Sequence, residues 1–159
     1  MKLIYLDFDG VLHDSEVYYH SKRGIYIETP GRFLFEWMHI LEDLLAPYPE
    51  VSLVLSTSWV KVRSFDFAKS QLSKSLQEKV IGATFHQRYF HRAEFSLLSR
   101  GEQIEQDVLY RKPSSWFAID DDAVYWPEYL RGNLIHTNGT LGISEHRVQK
   151  AIHAKLREM

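Results

Sequence analysis

The stretch YLDFDGVLHD, residues 5–14, closes an apolar run of Leu3, Ile4, Tyr5 and Leu6 with two carboxylates two positions apart, Asp7 and Asp9. A nearly continuous apolar run of this length is the pattern of a strand covered on both faces, as in a parallel sheet. A carboxylate carried into such surroundings costs several kcal/mol, on the order of the penalties for buried charges, unless a cation or hydrogen bonds compensate it. The compensating group for two of them must come from elsewhere in the chain or from an ion.

Outward from this stretch, similar short runs recur at Val51 to Leu55, Val80 to Ala83, Trp116 to Ile119 and Asn133 to His136. Helical patterns lie between them. The clearest is predicted to start with Thr29 as cap and Pro30 in the first turn, carrying Leu34, Trp37, Met38, Leu41 and Leu45 at helical spacing. A second carries Phe65, Ala68, Leu72 and Leu76, a third spans Arg100 to Tyr110, and a fourth follows Ser144 with Val148, Ile152 and Leu156 as its core stripe. Strands alternating with helices predict an α/β fold, an open and mostly parallel sheet with helices on both faces. Residues 11–29 read as a small hairpin turning at Lys22, Arg23 and Gly24, and residues 84–99 as a long loop.

The chain has 159 residues, of which 45% are apolar, matching one domain over residues 1–159, with no repeat or linker to divide it. A formal net charge of -2 supplies no global attraction to nucleic acid or to an anionic membrane. There are no cysteines, which excludes disulfides, zinc–thiolate sites and thiol catalysis and makes a cytoplasmic location the expectation. The apolar run before Asp7 is too short for a signal peptide or a membrane span.

Ligands of open α/β sheets bind beyond the carboxyl ends of the strands, so the polar residues that close each apolar run are candidates for one site. The first run ends in Asp7 and Asp9, the second in Ser56, Thr57 and Ser58, and the run WFAI in Asp120, Asp121 and Asp122. If the strands are parallel, five carboxylates converge, and they need raised pKa values or a counter-cation. Oxygen donors with no histidine or cysteine among them point to Mg²⁺, which keeps positions open for water and phosphate.

These residues resemble the haloacid dehalogenase (HAD) superfamily, whose first signature is an apolar strand ending in DxDG and a hydrophobic pair, as in YLDFDGVL. The resemblance implies a HAD-like Rossmannoid three-layer sandwich with a small hairpin flap over residues 11–29 and no full cap domain. It implies that Asp7 is the nucleophile of a Mg²⁺-dependent phosphohydrolase and becomes an aspartyl-phosphate. Asp9 would be the acid and base, with its backbone carbonyl on the metal. Thr57, with Ser58 beside it, would bind the phosphoryl oxygens, and Gly10 would let the backbone turn close beneath the ion. Asp121 would contact the metal with Asp120 in support. The basic residue of the third signature has two candidates, Arg100 in SRGEQIEQDVL and Lys112 in RKPSS. An Arg-Gly-x-x-Ile stretch, STSW, the acid run and a late GIS together look like a small capless HAD group that includes the HAD domain of Swiss Army Knife RNA repair proteins, which favours Arg100. An arginine fork can hold a phosphoryl group at two points. Capless relatives imply a phosphorylated substrate that is large, with a nucleic-acid end among the candidates.

Other patterns weigh less. FHQRYFHR, Phe85 to Arg92, interleaves aromatic and basic residues in a way that could stack bases, but reads first as a loop pinned by aromatic packing. His86 and His91 are five apart, off the spacing of a helical metal pair. Tyr18, Tyr19 and Tyr26 read as hairpin packing. The competing function is a HAD-like module that binds a phosphate or RNA end without turnover. A phosphoacceptor receiver is disfavoured because the acids close the first and fourth runs.

Overall fold

The computed structural model describes residues 1–86 and 91–159. The elements run β1 (Lys2–Leu6), β2 (Val17–His20), β3 (Gly24–Ile27), α1 (Met38–Leu45), β4 (Val51–Leu55), α2 (Trp59–Val62), α3 (Phe65–Ser70) and α4 (Lys74–Lys79). Then follow β5 (Val80–Ala83), α5 (Arg92–Leu97), α6 (Arg100–Arg111), β6 (Ser115–Asp120), β7 (Leu134–His136) and α7 (His146–Glu158), with 3₁₀ turns at Glu128–Asn133 and Gly142–Ser144. Five strands form one sheet in the order β5-β4-β1-β6-β7, and every pairing in it is parallel. The expected α/β fold with a HAD-like arrangement is therefore present, and β1, the strand that opened the argument, is its centre.

Both faces of β1 are buried, which is why its sequence shows no alternation. Ile4 and Leu6 face a core with Leu41 and Leu45 of α1, Leu76 of α4 and Val148, Ile152 and Leu156 of α7. Leu3 and Tyr5 face the other way, onto Ile104 and Val108 of α6 and onto Trp126. Each fully buried leucine contributes about 2 kcal/mol of apolar transfer free energy. Parallel pairing places the carboxyl ends of all five strands along one edge of this sheet.

Three boundaries differ from the sequence pattern. The helix expected from Thr29 begins at Met38, because Phe35 lies in the left-handed region (φ 58°) and gives its N–H to His13 Nδ1 at 3.0 Å. A tertiary hydrogen bond thus takes a donor the helix would have used. The helix expected across Phe65 to Leu76 is two, α3 capped by Ser64 and α4 starting after an extended Ser73. Ala68, Leu72 and Leu76 are all buried, so the apolar period runs on across the break. The loop expected at residues 84–99 contains α5, and residues 87–90 of the aromatic–basic stretch lie outside the described residues.

A hairpin forms inside the expected 11–29, with Val17↔Ile27, Tyr18↔Tyr26, Tyr19↔Ile25 and His20↔Gly24 paired, so that the turn lies at residues 21–23 and Gly24 begins the second strand. Tyr18 and Tyr26 lie ring to ring at 6.0 Å, and Arg23 covers Tyr26. Among the described residues, no helix is long and apolar enough to cross a membrane.

Candidate active site

Parallel register lines up one row of polar residues where the strands end. Leu6 pairs with Leu55 on one side and Ile119 on the other, and the ladder continues through Ser56 N–H to Leu6 O (2.8 Å) and Asp7 N–H to Ile119 O (3.2 Å). Ser56, Asp7 and Asp120 therefore stand side by side on the face that carries α6. Arg100, the first residue of α6, crosses all three. Its Nη1 donates to Ser56 O (2.5 Å), its Nη2 lies 3.9 Å from Asp7 Oδ1, and its Nε lies 3.2 Å from Asp120 Oδ2. Ser99 and Glu102 form a reciprocal capping box that fixes the start of this helix. Gly101 lets it approach the chain at Trp126 and Pro127, where a Cβ would come within 2.6 Å of Pro127 Cδ.

Asp121 completes the acidic group. Oxygens of Asp7, Asp120 and Asp121 lie within 4.8 Å of one another. Gly10 (φ 75°) brings the backbone under them so closely that a Cβ there would sit 2.2 Å from Asp121 Oδ2, and Thr137 Oγ1 donates to Gly10 O at 2.7 Å. Burial, then the neighbouring Asp120 charge, pushes the Asp7 carboxyl well above the usual range, although Arg100 opposes this. Burial raises Asp120 to about 7 against the pull of Arg100, and burial with the Asp7 charge raises Asp121 to about 7. Burial works against the charge on Arg100, but the Asp7 and Asp120 carboxylates facing it hold its pKa above the ordinary value. One guanidinium does not satisfy three carboxylates. Asp120 Oδ2 lies in ion-pair range of Arg100 without an aligned hydrogen bond, and Ser56 Oγ in the same row is also unmatched among the described residues. Oxygen donors, mutual repulsion and unmatched atoms fit a hard divalent cation.

Asp9 leaves this group. Its Oδ1 accepts from Trp59 Nε1 and from His13 Nε2, each at 2.8 Å. Neither residue was drawn from the sequence. The signal available was position alone: His13 lies four residues after Asp9, and Trp59 directly follows the hydroxyl cluster.

The model of the HAD domain in Swiss Army Knife RNA repair proteins matches residues 3–148. The chain belongs to this HAD family. No curated protein and no solved structure matches it. The family resemblance drawn from Asp7, Asp9, the hydroxyls and the late acids is thereby shown, and a HAD domain carries hydrolase-type chemistry as its superfamily background.

Within this HAD domain the expected residues divide. Asp7, Asp120, Asp121, Gly10 and Arg100 come together. Thr57 is buried beside the row, but its Oγ1 accepts the Trp59 N–H at 3.3 Å, and the residue level with Asp7 is Ser56. Ser58 precedes α2 and borders the flap side of Asp9. Lys112 is not brought to the site. It is exposed at the far end of α6, about 18 Å from Arg100 at 1.5 Å per helical residue, on the side where strands begin. A different lysine is near: Lys61 borders an open cavity of about 300 Å³ with Arg100, Ser99, Gln103 and Tyr125. Burial, then the Arg100 and Arg92 charges, lowers its pKa, and its amino group donates to Ser96 Oγ at 3.2 Å.

Proposed function

We propose that this HAD domain is a Mg²⁺-dependent phosphoric monoester hydrolase that works through an aspartyl-phosphate on Asp7, with phosphate carried by a large anionic molecule, such as a nucleic-acid end, as substrate. The observation that carries this reading is the row Ser56, Asp7 and Asp120 under Arg100, with Asp121 against Gly10. Such a row offers a nucleophile, a cation for the phosphoryl oxygens and a set of acids that calls for a metal. Asp7, Asp120 and Asp121 would hold the ion, with the Asp9 carbonyl as the resemblance implies. When bound, Mg²⁺ supplies charge neutralisation for the acids and the phosphoryl oxygens.

The chain's own residues divide the remaining work. An Asp7 oxygen forms a bond to phosphorus as the bond to the leaving-group oxygen breaks, and Asp9 gives that oxygen its proton. In the second half water bonds to phosphorus, its proton passes to Asp9, and the Asp7–phosphorus bond breaks to release phosphate. Splitting hydrolysis this way replaces one difficult displacement with two easier ones. Arg100 lies where charge develops on the equatorial oxygens.

Two features support a large anionic substrate. The hairpin of β2 and β3 is too short to enclose the site, which leaves the cleft open. The cavity beside Arg100 carries Lys61, with no carboxylate ion-pair partner among the described residues, and Tyr125, 88% exposed at the rim. The family description names RNA repair proteins. A cytoplasmic setting belongs to the same proposal and rests on the cysteine-free sequence.

The test is hydrolysis of an aryl phosphate with and without Mg²⁺, run beside Asp7→Asn and followed by a screen of nucleotides, phosphopeptides and RNA ends. Metal-dependent turnover lost in Asp7→Asn, with phosphate trapped on the wild-type chain after rapid quenching, is the expected result. Binding of Mg²⁺ and phosphate without turnover would move the chain to the competing reading, a binding module.

A further inference from the structure

Asp9 receives both of its hydrogen bonds on one oxygen. Trp59 Nε1 and His13 Nε2 each reach Oδ1 at 2.8 Å, and Oδ2 accepts none among the described residues. The arrangement at His13 is over-determined. A backbone N–H can only donate, so the Phe35 N–H at 3.0 Å uses the Nδ1 lone pair and leaves Nε2 to carry the hydrogen aimed at Asp9. His13 is fully buried, its ring edge-on to Phe35 at 4.8 Å and tilted against Trp59 at 5.7 Å, so it cannot turn over. Phe35 occupies the left-handed region to deliver its N–H, a conformation an aromatic residue rarely adopts.

The other side of Asp9 is open. Its side chain is 28% exposed and borders a cavity of about 110 Å³ walled by Val17, Tyr19 and Ile25 of the hairpin and by Ser58, Trp59 and Val62. An oxygen that accepts two N–H donors is the poorer site for a proton, so in the neutral carboxyl group the hydrogen sits on the other oxygen.

We propose that His13 is a positioning residue that fixes Asp9 with Oδ1 held and Oδ2 as the working oxygen, facing a leaving-group pocket beneath the hairpin. This rests on the hydrolase reading above. In the first half-reaction the Oδ2 hydrogen passes to the leaving-group oxygen as its bond to phosphorus breaks. In the second, Oδ2 takes a proton from the water that bonds to phosphorus.

The experiment compares His13→Asn with His13→Gln. Asparagine can place its oxygen near the Nδ1 position and keep the Phe35 bond while losing the donor to Asp9. Glutamine can place its amide nitrogen near Nε2 and keep the donor while losing the Phe35 acceptor. The readout is the ratio of kcat/KM for an alkyl phosphate to that for p-nitrophenyl phosphate, since a good leaving group departs without a proton and a poor one does not. His13→Asn is expected to lower this ratio about 100-fold, the low end of general-acid contributions, and His13→Gln to restore most of it. Equal losses on both substrates, or the same ratio in both variants, would make His13 a packing residue and overturn the proposal.

A measurement on the unaltered protein guards against variants that fail to fold. Long-range ¹H–¹⁵N spectra should show His13 as the Nε2–H tautomer, and an Nδ1–H tautomer overturns the proposal without reference to activity. Absence of wild-type turnover on either substrate overturns the hydrolase reading and this inference with it. Wild-type turnover with a ratio unmoved by His13→Asn overturns this inference alone.

Discussion

Asp7 sits among charges, with Asp120 and Asp121 beside it and Arg100 across it. Asp9, two residues on, sits among N–H donors and aromatic rings, with His13 and Trp59 on one oxygen and the hairpin beyond. Two positions apart in a strand would put both side chains on one face. They part because the strand ends at Leu6 and the chain turns at Gly10, where φ is positive. The contrast shows how one motif obtains two chemistries from two identical side chains. A crowd of carboxylates makes a site that needs a cation, whereas two N–H donors on a single oxygen hold a carboxyl group in a fixed orientation and leave its other oxygen open.

The largest effect should come from the charged side. Asp7→Asn should cut aryl-phosphate turnover by about 10³-fold or more, the scale on which loss of a covalent nucleophile acts. Thermal unfolding should show the variant folded, and full activity in it would erase the distinction between the two aspartates. Arg100→Ala should lower kcat/KM by about 100-fold, as loss of a preorganised charge on a transition state does. Lys112→Ala, assayed beside it, should change nothing measurable. A reversal of that order would move the phosphate-neutralising role to the far end of α6.

Acidity should separate the two surroundings next. Asp120 and Asp121 are raised to about 7 by folding, so the folded chain holds these protons more tightly than the unfolded one. Their contribution to stability is complete below the ordinary carboxyl pKa near 4 and is lost as pH rises through about 7. Without metal, the melting temperature should therefore fall between pH 5 and pH 8. Added Mg²⁺ should restore more at pH 8 than at pH 5, and Asp121→Asn should flatten the trend. A melting temperature indifferent to pH and Mg²⁺ would mean that the acids do not form a cation site.

The smallest effects should divide the hydroxyls. Ser56 stands in the row with Asp7, while Thr57 spends its oxygen on the Trp59 N–H. Ser56→Ala should lower kcat/KM by about tenfold, in line with loss of one neutral hydrogen-bond donor at a developing charge. Thr57→Ala should lose about 1 kcal/mol of stability, the usual scale for a hydroxyl holding an N–H at a helix start, with a lesser effect on rate. Paired kinetics and denaturant melts of the two variants decide the assignment.

The three central strands β1, β4 and β6 were legible to within a residue or two because each is short and largely buried on both faces, so the apolar run alone marks them. Their ends were legible as well, since Asp7, Asp120 and Asp121 interrupt apolar runs, and parallel strands bring such interruptions together. The start of α1 was not, because Thr29 and Pro30 offer good local chemistry and the competing hydrogen bond comes from His13, 22 residues before Phe35. Thr57 came from the family resemblance; Ser56 follows the same run, and only the register of β4 against β1 shows that Ser56 is the one level with Asp7.

The sequence by itself determined that a parallel sheet would carry its acids to one edge, since the apolar pattern sets which residues are strands and parallel pairing puts their carboxyl ends together. Tertiary structure alone decided which side of that edge each group faces: Arg100 over Asp7 and Asp120, Lys112 far away, and His13 and Trp59 on one oxygen of Asp9. Register, helix placement and a left-handed Phe35 depend on contacts between residues distant in the chain, and no local pattern of residue types encodes them.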